Sequence, residues 1–305
     1  MSTFSVKTKN DALWRPLYPF ESRYVEIDGF QYHYVDEGPT EPDGVERPTL
    51  LMSHGNPTWS FIFRDVIKAF RGKYRTIAVD HIGCGLSEKP SIRKYPYSLD
   101  RRAEDLRKFV EKLDLKNVAL IAHDWGGAVA MGTVTRIPER FSKIVLMNTA
   151  AYLNDRVPKR IRLCHIPILK RIMLQGLNVF PRAATKMATE KGLSEEVKAG
   201  LLAPYDTWAN RIAVCEFVQD IPTTPRHRSY ETLKTIQEKL PTLADKDIAL
   251  IWGMEDWCFP PEIFMKKFQE YYPNAFVREL KGIGHYLMED APEETVAAIR
   301  EFLEK

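Results

Sequence analysis

Short runs of β-branched and aliphatic residues alternate with longer helical segments through most of this chain of 305 residues. The first two runs flank Asp28-Gly29, a hairpin turn signal, so they are expected to pair antiparallel. The later runs are apolar throughout, which is typical of strands buried on both faces of a parallel sheet. The alternation predicts a doubly wound, mostly parallel α/β sheet of eight strands with helices on both faces.

The predicted strands are Arg23–Ile27, Gln31–Val35, Thr49–Ser53, Thr76–Val79, Val118–Ala122, Lys143–Met147, Ile248–Trp252 and Ala275–Leu280. The predicted helices are Phe61–Phe70, Leu99–Leu113, Gly126–Arg136, Pro261–Tyr271 and Glu293–Glu304.

The alternation stops once, from about Thr149 to Thr242, where the sequence is helical and interrupted by prolines. An interval of this length is too long for a structureless loop in a compact domain. It predicts a helical cap inserted after the sixth strand. The predicted domains are therefore a main domain of residues 1–148 and 243–305 and a cap of residues 149–242.

The composition limits the partners. A net charge of +3 is too weak to indicate nucleic acid, and no apolar run reaches the ~20 residues of a membrane span. The first residues lack the apolar core of a secretory signal, so a cytoplasmic location is expected. Four cysteines lie far apart with no C-x-x-C pair, which indicates neither a zinc site nor a disulfide framework. We expect no cofactor and no metal.

One part of the predicted cap is strongly basic, because residues 156–189 contain eight cations and no acid. These cations are Arg156, Lys159, Arg160, Arg162, Lys170, Arg171, Arg182 and Lys186. A solvated helix face is the simplest interpretation. A membrane-surface contact, an acidic partner or an oligomer face are the alternatives.

Residues 122–127 read A-H-D-W-G-G, directly after the fifth predicted strand. The pattern matches the strand-turn-helix nucleophile elbow, usually G-x-S-x-G, with Ala122 and Gly126 as small flanks and Gly127 giving the helix room to pack. Asp124 stands where the serine would be. A carboxylate with an ordinary pKa of about 3.9 is already ionised and needs no base to attack. Attack at an sp3 carbon gives a stable alkyl ester, so this elbow indicates carbon–halogen bonds, epoxides or other strained rings.

Two neutral hydrogen-bond donors are expected beside that carboxylate, because ligands bind at the carboxyl ends of strands in an open α/β sheet. The third strand is followed by His54-Gly55-Asn56-Pro57, in which Asn56 offers an amide. Trp125 offers an indole N–H, which can only donate. Such donors suit a departing halide, whereas a fixed cation would pair with Asp124.

The base is expected to be His285, which follows the last strand in a glycine-rich turn, G-I-G-H-Y. Its orienting acid follows the seventh strand in Gly253-Met254-Glu255-Asp256, where the spacing favours Asp256 and Glu255 is the alternative. The chain order nucleophile, acid, histidine is that of α/β-hydrolases. His54 and His123 adjoin other site segments, and His33, His81, His165 and His227 lack a comparable setting. Asn148, at the end of the sixth strand, can hydrogen-bond nearby but cannot replace a carboxylate.

Together these residues resemble the haloalkane dehalogenase family of the α/β-hydrolase superfamily. The resemblance covers nearly the whole chain, through H-G-N-P-T-W-S-F at 54–61, D-H-I-G-C-G-L-S-E-K-P at 80–90, A-H-D-W-G-G at 122–127, G-M-E-D at 253–256 and G-H-Y at 284–286. It implies an α/β-hydrolase fold, with Asp124 as nucleophile, His285 as base, Asp256 as acid, and Asn56 and Trp125 as halide-binding and oxyanion donors. The Asn–Trp pair with an acid after the seventh strand is similar to the third dehalogenase subfamily.

That subfamily also includes the β-lactone decarboxylases of bacterial olefin biosynthesis, and the stretches at 202–212 and 217–222 are similar to theirs. The sequence favours a haloalkane dehalogenase that forms a primary alcohol, with cis-3-alkyl-4-alkyloxetan-2-one decarboxylation as the alternative. An epoxide hydrolase would need tyrosines such as Tyr152, Tyr205 or Tyr230, and Asn56 argues against it. A non-catalytic binding protein is the remaining alternative. The expected partners are a small apolar substrate and, as the resemblance implies, a homo-oligomer or an assembly with other enzymes.

Overall fold

The computed structural model describes residues 8, 10–39, 44–154 and 171–305. Its eight-stranded sheet consists of β1 Arg23–Ile27, β2 Phe30–Glu37, β3 Thr49–Ser53, β4 Thr76–Val79, β5 Val118–Asp124, β6 Phe141–Thr149, β7 Asp247–Gly253 and β8 Phe276–Leu280. Their order across the sheet is β1-β2-β4-β3-β5-β6-β7-β8.

The sheet is antiparallel only at one edge, where β1 pairs with β2 and β2 with β4. All pairs from β4 through β8 are parallel. Asp28 and Gly29 join β1 to β2 with φ angles of 47° and 84°, the two positive values that a type I′ hairpin turn requires. The predicted fold class is confirmed, and several strands extend one or two residues beyond their predicted ends.

The helices are α1 Asp11–Trp14, α2 Arg64–Phe70, α3 Leu99–Lys112, α4 Trp125–Val134, α5 Val179–Met187, α6 Glu195–Leu202, α7 Ile212–Gln219, α8 Tyr230–Lys239, α9 Phe264–Tyr271, α10 Leu287–Asp290 and α11 Pro292–Leu303. They cover both faces of the sheet. Along β5, Leu120 packs on one face with α3, α4 and α9, whereas Ile121 packs on the other with α2 and α11. Alternate residues of a central strand are therefore buried in two separate cores.

Two predicted helices begin later in the structure. The segment predicted as Phe61–Phe70 opens with a 3-10 turn at Ser60–Phe63 before α2, and α9 begins at Phe264 rather than Pro261. Residues 261–263 form turns, in which the carbonyl of Pro260 accepts the backbone N–H groups of Ile263 and Phe264 at 3.0 and 2.9 Å.

Between β6 and β7, the described residues 171–246 contain α5 to α8 and short helical turns, among them a π-helical turn at Arg171–Gly176. The division into a main domain and a cap of residues 149–242 stays a prediction, and "cap segment" denotes those residues below. Five of the eight cations of the basic stretch lie outside the described residues, as do Cys164 and His165. In the part of the chain that is described, no helix has the length and apolarity to cross a membrane.

Candidate active site

Asp124 ends β5 and immediately precedes α4, at the carboxyl edge of the sheet. Its φ and ψ are 53° and −135°, a conformation that costs a residue with a side chain about 1–3 kcal/mol and is typical of functional sites. The turn brings the carboxylate beside the loop after β3, where the backbone N–H of Asn56 donates to Oδ1 at 2.6 Å. Asp124 is 4% exposed, and it lies at the N-terminus of α4, whose dipole favours a negative charge.

The small residues expected around the elbow are required by close contacts. A Cβ on Gly126 would lie 2.2 Å from the carbonyl oxygen of Ser53, and one on Gly127 would lie 2.0 Å from Oγ1 of Thr149. A Cβ on Gly55 would lie 1.9 Å from Oδ1 of Asp124 itself. The turn after β3 can therefore approach the carboxylate only because it carries no side chain at Gly55.

His285 lies between two carboxylates. Its Nε2 is 3.3 Å from Oδ2 of Asp124, and its Nδ1 is 2.8 Å from Oδ2 of Asp256. Burial by itself would lower the pKa of His285, but Asp256 and Asp124 outweigh burial and raise it to about 10. The imidazole is therefore cationic at neutral pH as long as Asp124 is an ionised carboxylate. Glu255 is exposed, so the geometry selects Asp256 as the acid that contacts the histidine.

Asp256 is held ionised by its neighbours. Burial would raise its pKa, but the positive charge of His285 and hydrogen bonds from His285 and Asn148 lower it. The amide of Asn148 donates to Oδ2 of Asp256 at 2.7 Å, and its oxygen accepts from the N–H of Gly253 at 2.9 Å.

A bulge in β6 directs Asn148 toward the acid. His123 pairs with Met147, whereas the next residue, Asp124, pairs with Thr149, so Asn148 is the extra residue. Its φ angle of 40° is consistent with the bulge. The sequence showed an asparagine at the strand end, but the register shift that turns it toward Asp256 is a property of the sheet.

Asn56 and Trp125 both adjoin Asp124, as expected from their positions, and both contact α7. The side-chain amide of Asn56 donates to the carbonyl of Val214 at 3.2 Å, while its own oxygen is buried and accepts no hydrogen bond from any described residue. The indole of Trp125 is partly buried, and its centroid lies 6.1 Å from that of Phe217. Helix α7 therefore covers the elbow from the cap side.

The surroundings of the site are apolar. The ring of Phe259 stacks on that of His285 with centroids 5.5 Å apart. Leu174 forms a small buried cluster with Cys215 and Val218 of α7, and Cys258 packs against this cluster. Apolar side chains such as these suit alkyl chains better than polar groups.

Two histidines that were not predicted to be the base, His54 and His123, support the site. His123 donates from Nε2 to the carbonyl of His285 at 2.9 Å, and burial first, then the charge of His285, lowers its pKa to about 4, so it stays neutral. His54 bonds the carbonyl of Gly55 through Nδ1 at 2.7 Å and accepts the N–H of His81 at 3.1 Å, which braces the turn after β3.

Behind this turn lies a buried polar network that sequence reasoning missed. His33 pairs with Asp80 at 2.8 Å, and although burial alone would raise the pKa of Asp80, His33 lowers it to about 2. His81 bonds Ser53 at 3.1 Å, and the Ser53 hydroxyl donates to the carbonyl of Gly126 at 3.1 Å, in the first turn of α4. In the sequence, the adjacent residues Asp80 and His81 were the feature that could have indicated this network. Among the described residues, no group of three or more His, Cys, Asp or Glu side chains is arranged to hold a metal ion.

The elbow with its neighbouring acid and histidine, on an eight-stranded sheet of this order, defines an α/β-hydrolase. Residues 48–292 match the model of the alpha/beta hydrolase fold family. This chain belongs to that family. A cis-3-alkyl-4-alkyloxetan-2-one decarboxylase of Shewanella oneidensis is 37% identical over 292 residues, which cover 94% of this chain and 89% of that protein.

Haloalkane dehalogenases are similar to this chain as well. Haloalkane dehalogenase 2 of Mycobacterium tuberculosis is 34% identical over 288 residues, covering 93% of this chain and 96% of that one. A crystal structure of an ancestral haloalkane dehalogenase has a TM-score of 0.81 at 27% identity and covers 92% of this chain and 98% of that chain. The predicted resemblance and the prediction of an α/β-hydrolase enzyme are confirmed.

Proposed function

We propose that this enzyme decarboxylates cis-3-alkyl-4-alkyloxetan-2-ones, which are β-lactones, to alkenes through an alkyl ester of Asp124. The observation that carries the proposal is the aspartate at the elbow, 2.6 Å from the Asn56 N–H and 3.3 Å from the His285 imidazole. An ionised carboxylate there suits attack at an sp3 carbon. The identity to the Shewanella decarboxylase supports the choice of the lactone as substrate. The sequence alone favoured a haloalkane dehalogenase, with the decarboxylase as the alternative, and we propose the reverse ranking.

In the first step, a carboxylate oxygen of Asp124 attacks C4 of the lactone from the side opposite the ring oxygen. The C4–O bond breaks and its electron pair remains on that oxygen, so the substrate becomes a carboxylate esterified to Asp124. The amide of Asn56 and the indole N–H of Trp125 are the donors available to the new carboxylate. Each such donor, if pre-oriented, contributes a few kcal/mol to the rate.

In the second step, the bond from C3 to the carboxylate breaks and its electron pair forms the C3=C4 double bond. The C4–O bond to Asp124 breaks at the same time, which releases CO2 and the alkene and restores the carboxylate of Asp124. Inversion at C4 in the first step places the ester antiperiplanar to the substrate carboxylate. A cis lactone therefore gives a cis alkene without bond rotation, and no water is consumed.

The charge on His285 serves this second step. His285 enters the reaction protonated, because its pKa is about 10 while Asp124 is ionised, and a protonated imidazole can stabilise the carboxylate of Asp124 as it leaves. Hydrolysis makes a different demand, because His285 must then act as a base toward water. Esterification of Asp124 removes one of the two carboxylates that raise its pKa, which would favour that role.

Haloalkane dehalogenation is the second candidate. It is supported by the two neutral donors beside Asp124 and by the mycobacterial relative. In that mechanism Asp124 displaces the halide and forms an alkyl ester. Water activated by His285 then attacks the carboxyl carbon of Asp124, and the backbone N–H groups of Asn56 and Trp125 stabilise the oxyanion. Epoxide opening is less well supported, since the hydroxyls of Tyr152 and Tyr205 donate to the carbonyls of Phe264 and Thr58.

The test compares a cis-dialkyl β-lactone with a 1-bromoalkane of matched chain length in water labelled with oxygen-18. We expect alkene and CO2 from the lactone, with no label in Asp124. Halide release with label entering Asp124, and no alkene, would favour the second candidate instead. The Asp124→Ala variant should lose at least about 10³-fold in turnover on either substrate, and Asp247→Ala, at an exposed aspartate, should match the wild type. Undiminished turnover by Asp124→Ala would contradict both candidates.

A cytoplasmic location remains a proposal from the sequence, and a homo-oligomer or an assembly with other enzymes remains a proposal that rests on the resemblance. Gel filtration with light scattering of the purified chain tests the oligomer, and a monomer at micromolar concentration would contradict it.

A further inference from the structure

A buried carboxylate outside the triad connects the His285 loop to the cap segment. Asp290, the last residue of α10, is 2% exposed. Its Oδ2 accepts the backbone N–H groups of Gly284 at 2.9 Å and Glu190 at 2.8 Å, and its Oδ1 accepts that of Lys191 at 2.9 Å. One side chain therefore holds both the residue before His285 and the connection between α5 and α6.

Two further bonds join the same connection to the site. The N–H of Tyr286, the residue after His285, donates to the carbonyl of Ala188 at 2.7 Å. The indole of Trp257, the residue after Asp256, donates to the carbonyl of Met187 at 2.8 Å. Residues 187–191 thus contact the loops that carry the histidine and the acid.

The partners of Asp290 indicate a role in geometry rather than in charge balance. Its neighbour Glu289 forms a bidentate ion pair with Arg64, at 2.5 and 2.7 Å. Asp290 forms no ion pair within the described residues, and its hydrogen bonds there come from backbone N–H groups. Hydrogen bonds to a charged acceptor are short and directional, so three of them fix the backbone positions of two segments.

There is little space for the loop to move while these bonds hold. A Cβ placed on Gly284 would lie 3.1 Å from the carbonyl oxygen of Ala188 and 3.2 Å from Oδ2 of Asp290. The two backbones are therefore packed against each other directly beside His285.

We propose that Asp290 is a positioning residue that locks the His285 loop to residues 187–191, so that the seating of the cap segment and the distance from His285 to Asp124 are set together. This inference rests on the proposed function, in which His285 acts on Asp124. Removing the lock should release Gly284 and displace the imidazole. A displacement of about 1 Å in a catalytic group can reduce the rate about 10²-fold.

The test compares Asp290→Asn with Glu289→Gln in the full chain. Both variants convert a buried carboxylate of α10 to its amide, but only the first faces the His285 loop. An amide has one acceptor oxygen, and its NH2 group opposes backbone donors. Three measurements are made on each variant: amide hydrogen exchange at Gly284, Glu190 and Lys191, the titration of the His285 ring nitrogens by NMR, and kcat and KM on the β-lactone.

For Asp290→Asn we expect exchange at the three amides to accelerate about tenfold or more, since each loses a charged acceptor. The His285 titration should shift toward its ordinary range, and kcat should fall about 10–100-fold with a smaller change in KM. For Glu289→Gln we expect a lower melting temperature but wild-type values in all three measurements.

Wild-type exchange and titration in Asp290→Asn would overturn the proposal, and so would equal effects of the two variants. If Asp290→Asn does not fold, Asp290→Glu decides the question, because it keeps the charge but lengthens the side chain. It should alter exchange and titration, and unchanged values would overturn the proposal. The exchange and NMR measurements need no substrate, so they remain informative even if the wild type fails to turn over the lactone.

Discussion

Asp124 has a φ of 53°, which a residue with a side chain seldom adopts, and the contacts around it keep it there. Its carbonyl accepts the hydroxyl of Thr149, and Oδ1 accepts the N–H of Asn56. Gly55, Gly126 and Gly127 leave room for these bonds. These hydrogen bonds offset the backbone strain at Asp124. They can form only because the three glycines carry no side chain.

The substitution Gly126→Ala tests this arrangement. The new Cβ would lie 2.2 Å from the carbonyl of Ser53, so β3 and α4 must separate. We expect a loss of about 1–3 kcal/mol in the free energy of unfolding, measured in urea, together with a large fall in kcat. Gly72→Ala is the control, because nothing lies within 4 Å of its Cβ position. Equal stability of the two variants would contradict the steric argument.

His285→Gln separates the chemistry of the two steps. The variant keeps Asp124 as nucleophile but lacks the cation that stabilises its departure. After mixing with the β-lactone, we expect the intact protein to gain the full mass of the lactone, measured by mass spectrometry, while alkene release slows about 10²-fold or more. Alkene release at the wild-type rate with no adduct would contradict the role assigned to His285.

Among the elements, the segment after β3 joins the elbow to the cap segment. Asn56 contacts both Asp124 and Val214, the carbonyl of Thr58 accepts the hydroxyl of Tyr205, and the indole of Trp59 donates to the carbonyl of Gly200 at 2.9 Å. Three successive contacts fix the cap segment at this edge. The short segment that supplies the donor to Asp124 therefore contacts both α6 and α7.

Trp59→Phe should weaken this junction. The side chain is fully buried, and its loss leaves the carbonyl of Gly200 without its donor. We expect a loss of about 1–3 kcal/mol in unfolding free energy, measured by urea denaturation. Trp208→Phe, at a half-exposed tryptophan, should change the free energy by about 0.5 kcal/mol or less. Equal effects at both positions would show that the Gly200 contact contributes nothing.

The elements themselves were largely predictable, because apolar runs and helical segments alternate in the sequence with the periods of buried strands and helices. The bulge at Asn148 was not, since it depends on how β5 and β6 pair. The sequence prediction placed the starts of α2 and α9 too early. In both cases the helical spacing of apolar residues extends N-terminal to the helix, into residues that form turns in the structure.

For the whole molecule, the pair of carboxylates around His285 links stability to pH. The pKa of a histidine is about 6.5 when unfolded, and here it is about 10 in the folded state. The folded protein therefore holds a proton that the unfolded chain releases. The resulting stabilisation is fully present below about pH 6.5 and is lost as the pH rises through 10.

The free energy of unfolding of the wild type relative to His285→Gln should accordingly decline from about pH 6.5 to 10, measured by urea denaturation across that range. The same comparison with Trp208→Phe should show no such decline, because that substitution at a half-exposed residue changes no ionisable group. A constant difference across the range for His285→Gln would contradict the charged state assigned to this residue.

The fold class and the candidate site residues could be predicted from the sequence alone. Buried strands, helices and a nucleophile elbow leave local signatures in composition and spacing, and Asp124, Asn56, Trp125 and Asp256 each follow a strand. Three features could be seen only in the folded chain: His285 lies between two carboxylates, Asn148 supports one of them, and Asp290 joins the His285 loop to residues 187–191. Asp256 and His285 are 29 positions apart, Asn148 and Asp256 are 108 apart, and Glu190 and Asp290 are 100 apart, and no local pattern encodes contacts over such separations.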